Sequence, residues 1–121
     1  MNVLDKHLAP HANALVLRQK RMEVLGANIA NAATPNYKAR DIDFRSALAA
    51  AVAPQSGPGG AAAPPATPEL MYRRVLQPSI DGNTVDMDVE RAQFAENAVH
   101  YEANINFLTH EIRMMLAALQ G

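Results

Sequence analysis

His7 and His11 stand four residues apart, the spacing at which two imidazoles share one helix face and can grip zinc. No Glu sits between them in His-Glu-x-x-His order, no third ligand is indicated, and Pro10 disturbs helical geometry there, so they read as solvated or interface histidines. His100 and His110 likewise carry no metal or catalytic signal. Asp81, Asp86, Asp88 and Glu90 cluster after Asp81-Gly82-Asn83. Taken as a calcium loop from Asp81, the run puts Asp86 where the loop requires glycine and Ala92 where it requires a bidentate Glu. A turn followed by a helix cap accounts for the same residues. Asp41 and Asp43 make a carboxylate pair with no nucleophile or pocket beside it. Arg18, Lys20 and Arg21, with Glu23 close by, read as a solvated or inter-subunit face rather than a phosphate site. Gly57, Gly59 and Gly60 lie among prolines rather than between a strand and a helix, so there is no phosphate loop. The absence of Cys removes a thiol nucleophile, a disulfide scaffold and a zinc ribbon. The residues point to no enzyme, no cofactor and no metal site.

The elements that carry these residues are sparse. A chain of 121 residues permits one small domain. Its apolar fraction is 49%, yet 23 residues are Ala and only six are Phe or Tyr, with no Trp. Alanine buries little surface, so the stock for a core is a modest set of Leu, Ile, Val and Met. The net charge of -1 argues against a general nucleic-acid binder. Charge is divided: residues 1–60 carry +3 and residues 61–121 carry -4, so the halves can attract each other. No apolar run is long enough to span a membrane, and Met1–Pro10, which contains Asp5, is no ordinary signal peptide. Composition alone makes cytoplasmic residence the default.

Three zones follow. From about Leu4 to Asn31, Leu8, Leu15, Met22 and Ile29 recur every seven residues, flanked by Leu4, Ala12 and Leu25, and place one apolar stripe on a helix. Pro10 is tolerated only in a first turn, so the continuous helix is expected to begin near residue 9 or 10 after a separate turn. Asn31 to Asn36 supplies a C-cap and a proline stop, and Pro35-Asn36 fits the centre of a turn with φ > 0 at Asn36. The middle, about Tyr37 to Asn83, is irregular. Ala39 to Phe44 reads as extended, Asp43 caps a short helix through Ser46 to Val52, and Leu70 to Leu76 reads as a strand against which Thr84-Val85 would pair back. Ser46 to Pro68 holds 23 residues without one charge, and about 49–68 reads as a flexible Ala/Pro/Gly loop. In the third zone Asp88 is taken as N-cap of a long helix. There Phe94, Ala98, Tyr101, Ile105, Leu108, Ile112, Met115 and Leu119 are spaced 4, 3, 4, 3, 4, 3, 4, an unbroken heptad seam.

That last helix would run about 50 Å, whereas a compact domain of this size is only about 35 Å across. The fold expected is mainly α and elongated: long N- and C-terminal helices pair as an antiparallel coiled coil around an irregular middle with a short helix and a candidate small β-hairpin. The divisions fall at 1–36, 37–85 and 86–121. A two-helix hairpin leaves much of each apolar stripe in water, and each ordered residue costs about 1–2 kcal/mol of backbone entropy. The isolated chain is therefore expected to be marginal, its helices completing their burial on other subunits.

Leu25 to Phe44, with Asn28-Ile29-Ala30-Asn31 and Thr34-Pro35-Asn36-Tyr37-Lys38 at its centre, resembles the N-terminal signature of the bacterial flagellar rod and hook axial proteins. Asp81-Gly82-Asn83-Thr84-Val85-Asp86-Met87-Asp88-Val89-Glu90 and the heptad helix after it resemble the proximal rod branch of that family. The wider family commonly has Gly where this chain has Asn36; the proximal branch accepts Asn. The likeness covers roughly residues 5–45 and 70–121.

The resemblance implies a structural part of the basal-body rod. In such proteins the terminal helices pair into an inner layer around the central channel, and the rod transmits motor torque for motility. Export through the flagellar type III apparatus without a cleaved signal to the periplasmic rod is implied too. The partners implied are copies of itself, other rod proteins, the adaptor protein and export gate at the rod base, and the surrounding MS ring, with no nucleic acid and no small-molecule substrate. The runner-up is an export adaptor or chaperone binding a flagellar partner through amphipathic helices. Interface roles are expected for Leu8, Leu15, Met22, Leu25 and Ile29 on the first helix and for the eight seam residues of the last. Asn28 and Asn31, poor helix formers on one face, are expected to bond a neighbouring backbone. Thr34, Pro35 and Tyr37 are expected to fix the exit turn, with Tyr37 packing on a helix.

Overall fold

The computed structural model describes residues 3–52, 68–75 and 79–121, without the side chains of Asp5 and Val52. Its elements are α1 (Val3–Ala30), β1 (Arg40–Ile42), α2 (Phe44–Val52), β2 (Leu70–Tyr72) and α3 (Met87–Gln120). The two long helices run antiparallel, since His7 meets Glu111 at one end and Asn28 meets Glu90 at the other. At about 1.5 Å per residue, the 34 residues of α3 make the molecule elongated, as the heptad seam required.

Several boundaries differ from expectation. α1 is continuous through Pro10 rather than starting after it. Proline there forfeits one helical hydrogen bond, but the preceding turns are pinned to α3 by the His7 Nε2–Glu111 Oε2 contact of 3.1 Å. The N-cap of α3 is Asp86, not Asp88: its backbone is extended and its carboxylate accepts from the amides of Asp88 and Val89. Asp43 does cap α2, accepting from the Ser46 amide and hydroxyl, so the extended run stops at Ile42 and Phe44 is already helical. Residues 49–52, placed in the loop by composition, complete α2; the heart of that loop, 53–67, lies outside the described residues, as does Leu76.

The strand pairing differs most. β2 pairs antiparallel with β1, Arg40 opposite Tyr72, Asp41 opposite Met71 and Ile42 opposite Leu70. Thr84 does not fold back on β2, because the exit segment of α1 claims it. Its amide donates to the Tyr37 carbonyl (3.0 Å), and its hydroxyl accepts from the Ala39 amide (2.8 Å).

The exit turn matches its sequence. Asn36 takes φ 62, the left-handed region that Asn tolerates, and the Tyr37 amide donates back to Thr34. Gly82, at φ 76, presses against it: a Cβ on Gly82 would sit 2.5 Å from Asn36 Oδ1. Among the described residues the buried apolar side chains are Leu17, Leu25, Ala39 and Ile42, matched by four buried polar ones, Asn28, Asn83, Glu90 and Asn97. Apolar burial alone therefore does not hold these helices in place.

Candidate functional site

Along α3, Glu90, Phe94, Asn97, Tyr101, Asn104, Leu108, Glu111 and Met115 are all buried or half-buried, and their spacing is again 4, 3, 4, 3, 4, 3, 4. This seam, facing α1, alternates polar and apolar residues. It shares Phe94, Tyr101, Leu108 and Met115 with the all-apolar seam seen in the sequence. The other four members of that sequence seam turn outward to different degrees. Ala98 is half-buried, while Ile105, Ile112 and Leu119 are exposed at 38%, 41% and 78%. One helix thus carries two overlapping heptad lines. On α1 the pattern is similar: Leu25 is fully buried, whereas Leu8, Leu15, Met22 and Ile29 are only half-buried.

The polar line carries a connected network. Asp41 of β1 receives a fork from Arg21, Nε and Nη2 each at 3.0 Å, and a third bond from Arg73 Nη2 at 3.1 Å. Arg21 Nη2 also donates to Gln93 Oε1 (2.7 Å). The hydrogen bond to Asp41 holds the Arg21 guanidinium above its ordinary pKa, more firmly protonated than usual. Glu90, with no exposed surface, accepts from the Arg73 guanidinium and from Asn28 Nδ2 (3.0 Å). Planar guanidinium forks on carboxylates are the geometry that best repays burial of charge. Two cations and two carboxylates therefore join α1, β1, the end of β2 and α3.

Asn28 is the hinge pin of this arrangement. Its Nδ2 donates to the Arg40 carbonyl (2.6 Å) and its Oδ1 accepts from the Arg40 amide (3.1 Å) and the Tyr37 hydroxyl (3.3 Å). The expected bond to a neighbouring backbone is thus present. Asn31 closes its own helix instead, donating from Nδ2 to Ala27 and accepting from the Thr34 hydroxyl. Thr34 and Pro35 are exposed; Tyr37 is half-buried. The end of α1 is finished from a distance: Asn83 Nδ2 lies 3.0, 3.1 and 2.7 Å from the carbonyls of Asn31, Ala32 and Thr34.

The basic cluster is not a single solvated face. Lys20 is exposed, Arg21 is in the network, and Arg18 stacks 4.1 Å above the Phe44 ring and bonds Asn97 Oδ1 at 3.4 Å. Burial lowers the Arg18 pKa, and Arg21 beside it adds to that. Asn97 returns a bond from Nδ2 to the Arg18 carbonyl (2.9 Å). The rings of His7 and His11 lie 6.4 Å apart, His11 against Phe107. Among the described residues no group of three or more His, Asp or Glu could hold a metal, and no helix is long and apolar enough to cross a membrane.

The arrangement is one of helix packing. Residues 8–38, which run from α1 through the exit turn, match the family model described as flagella basal body rod protein. The chain is 46% identical over 124 residues to the flagellar basal body rod protein FlgB of Cereibacter sphaeroides, covering 94% of each chain. It is 45% identical over 136 residues to FlgB of Escherichia coli, covering 100% of this chain and 98% of that one. To FlgB of Salmonella typhimurium it is 44% identical over 133 residues, at 98% and 96% coverage. The chain belongs to the FlgB family of flagellar basal body rod proteins. It is accordingly a structural rod protein of the flagellum, and the adaptor alternative is not favoured.

In this FlgB-family chain the sequence gives no separate sign of the network of Arg21, Asp41, Arg73, Glu90 and Gln93, or of the backbone bonds made by Asn83 and Asn97. In the sequence Asp41 reads as half of a carboxylate pair, and Glu90 as a member of the acidic cluster that fails as a calcium loop. One signal was available. Glu90, Asn97, Asn104 and Glu111 repeat every seven residues, interleaved with Phe94, Tyr101, Leu108 and Met115.

Proposed function

We propose that this chain works in the rod by using its two heptad lines for different neighbours. The polar line pairs α3 with α1 of the same chain. The apolar remainder of the sequence seam, Ala98, Ile105, Ile112 and Leu119, packs on helices of adjacent subunits in an inner layer around the central channel. The observation that carries the reading is the exposure of Ile105, Ile112 and Leu119 at heptad spacing beside a seam already filled. Leu8, Leu15, Met22 and Ile29, half-buried on α1, complete the inter-subunit surface from the other helix; Leu25 and Asn28 serve within the chain. Thr34, Pro35 and Tyr37 set the exit of the middle segment. The divisions 1–36, 37–85 and 86–121 then correspond to inner helix, connecting segment and inner helix.

The neighbours in this reading are copies of the chain, other rod proteins, the adaptor and export gate at the rod base, and the MS ring around it. The chain reaches the periplasmic rod through the flagellar type III apparatus and passes on motor torque. Ile112→Asp tests it. The purified variant should keep its helicity and urea midpoint, because the position is already exposed. Cells carrying it should lose swimming, and the protein should be missing from isolated basal bodies. Wild-type swimming would sink the reading.

A further inference from the structure

We propose that Arg73 is the ion that allows the helix pair to close: α1 and α3 seat along their polar line only when the segment carrying β2 delivers a guanidinium to Glu90. Glu90 has no exposed surface, and its only ion-pair partner among the described residues is Arg73. Asn28 also bonds it but brings no charge. Arg21, on the facing helix, spends its hydrogen bonds on Asp41 and Gln93. Without Arg73, two carboxylates share a single guanidinium and one of them is wholly buried, a penalty that close helix packing would have to overcome.

Neither the segment before β2 nor the next cation in the chain takes its place. Ser46 to Pro68 contains no charged side chain, so nothing in the chain between α2 and β2 can substitute. Arg74 is exposed, and no ion pair links it to Asp41 or Glu90 among the described residues. Arg73 is also fixed in place by the strand pairing, its amide donating to the Ala39 carbonyl at 3.0 Å just past the last β1–β2 pair. Helix pairing and strand pairing are therefore one event. The 4-3 pattern of α3 does not suffice to hold α1, and a chain whose middle segment is undocked keeps its helices apart. This inference concerns the single chain and does not depend on the reading of its outer face.

The test compares urea unfolding of the purified full chain with that of Arg73→Met, Arg74→Met and the double variant Arg73→Met/Glu90→Met. All are followed by circular dichroism at 222 nm in trimethylamine N-oxide, which favours burial. Arg73→Met should lower the folding equilibrium constant about a hundredfold or more and lose helical signal, because one partner of a buried pair has been removed. Arg74→Met should behave as the unsubstituted chain. The double variant should regain most of the lost stability, since no uncompensated buried carboxylate remains and Arg21 still pairs Asp41. If Arg73→Met is unfolded from the start, recovery of helix in the double variant supports the inference and failure to recover overturns it. An Arg73→Met midpoint equal to that of Arg74→Met overturns it, as does a non-cooperative transition in the unsubstituted chain.

Discussion

The two ends of α3 solve the same packing problem with opposite chemistry. From Glu90 to Asn97 the helix is held by ions and amides with matched partners on α1, β1 and the end of β2. From Ile105 to Leu119 it presents Ile, Phe, Met and Leu side chains to water. Directional polar contacts tolerate one register and one partner, whereas an apolar stripe accepts any surface that complements it. The first end is thus complete within the chain. The second leaves its apolar side chains uncovered by the described residues of the chain.

Substitutions can strike one end without the other. Asn28→Ala should be the most damaging change, since it strands the Arg40 amide and carbonyl and removes one of the bonds to Glu90. A loss of about 3 kcal/mol is expected from several unsatisfied buried groups, read as a lower urea midpoint; an unchanged midpoint would erase the contrast between the ends. Asp86→Ala removes the cap at the closed end and should cost about 1 kcal/mol, seen as earlier thermal loss of helix. Ile112→Asp at the open end should change the stability of the free chain by no more than about 0.5 kcal/mol while abolishing assembly. The smallest effect is acid sensitivity at Asp81. Its bonds from the Ser79 hydroxyl and the Asn83 amide pull its pKa below 3.8. A depressed carboxylate pKa stabilises the fold above that ordinary value, and the gain disappears as pH falls through the lower folded value. Asp81→Asn should therefore lower stability slightly near neutrality and flatten the acid limb of a pH–stability curve, the two chains converging at low pH.

Much of the fold was readable because it rests on local rules. Heptad spacing marked α3, Thr34-Pro35-Asn36 marked the exit turn and its positive φ, and Asp43 marked α2. What escaped depends on contacts between distant residues. Pro10 breaks a helix by local rules, yet α3 holds its helix together. Thr84 looks like the return strand of a hairpin until the exit segment of α1 takes its amide and hydroxyl. At the site, the apolar half of the α3 seam was legible as periodicity. The polar half shows only as the seven-residue recurrence of Glu90, Asn97, Asn104 and Glu111, whose partners stay hidden because charged and amide side chains at helical spacing look the same whether they face water or a partner. Arg73 gave no signal at all: its place depends on strand register, which three-residue strands do not encode by themselves.

The amide of Asn28 has one more effect. Because the Arg73 amide meets the Ala39 carbonyl, that carbonyl and the backbone groups of Asp41 lie on the β2 side, and Arg40 directs its own the opposite way. Asn28 answers that outward pair, donating to the carbonyl and accepting from the amide. A single side chain thus stands in for a third strand. It closes the outer edge of β1 at Arg40, as Asp41 Oδ1 does at the Ile42 amide, against the recruitment by a foreign chain that open sheet edges invite, so a two-stranded ribbon of three residues each can persist.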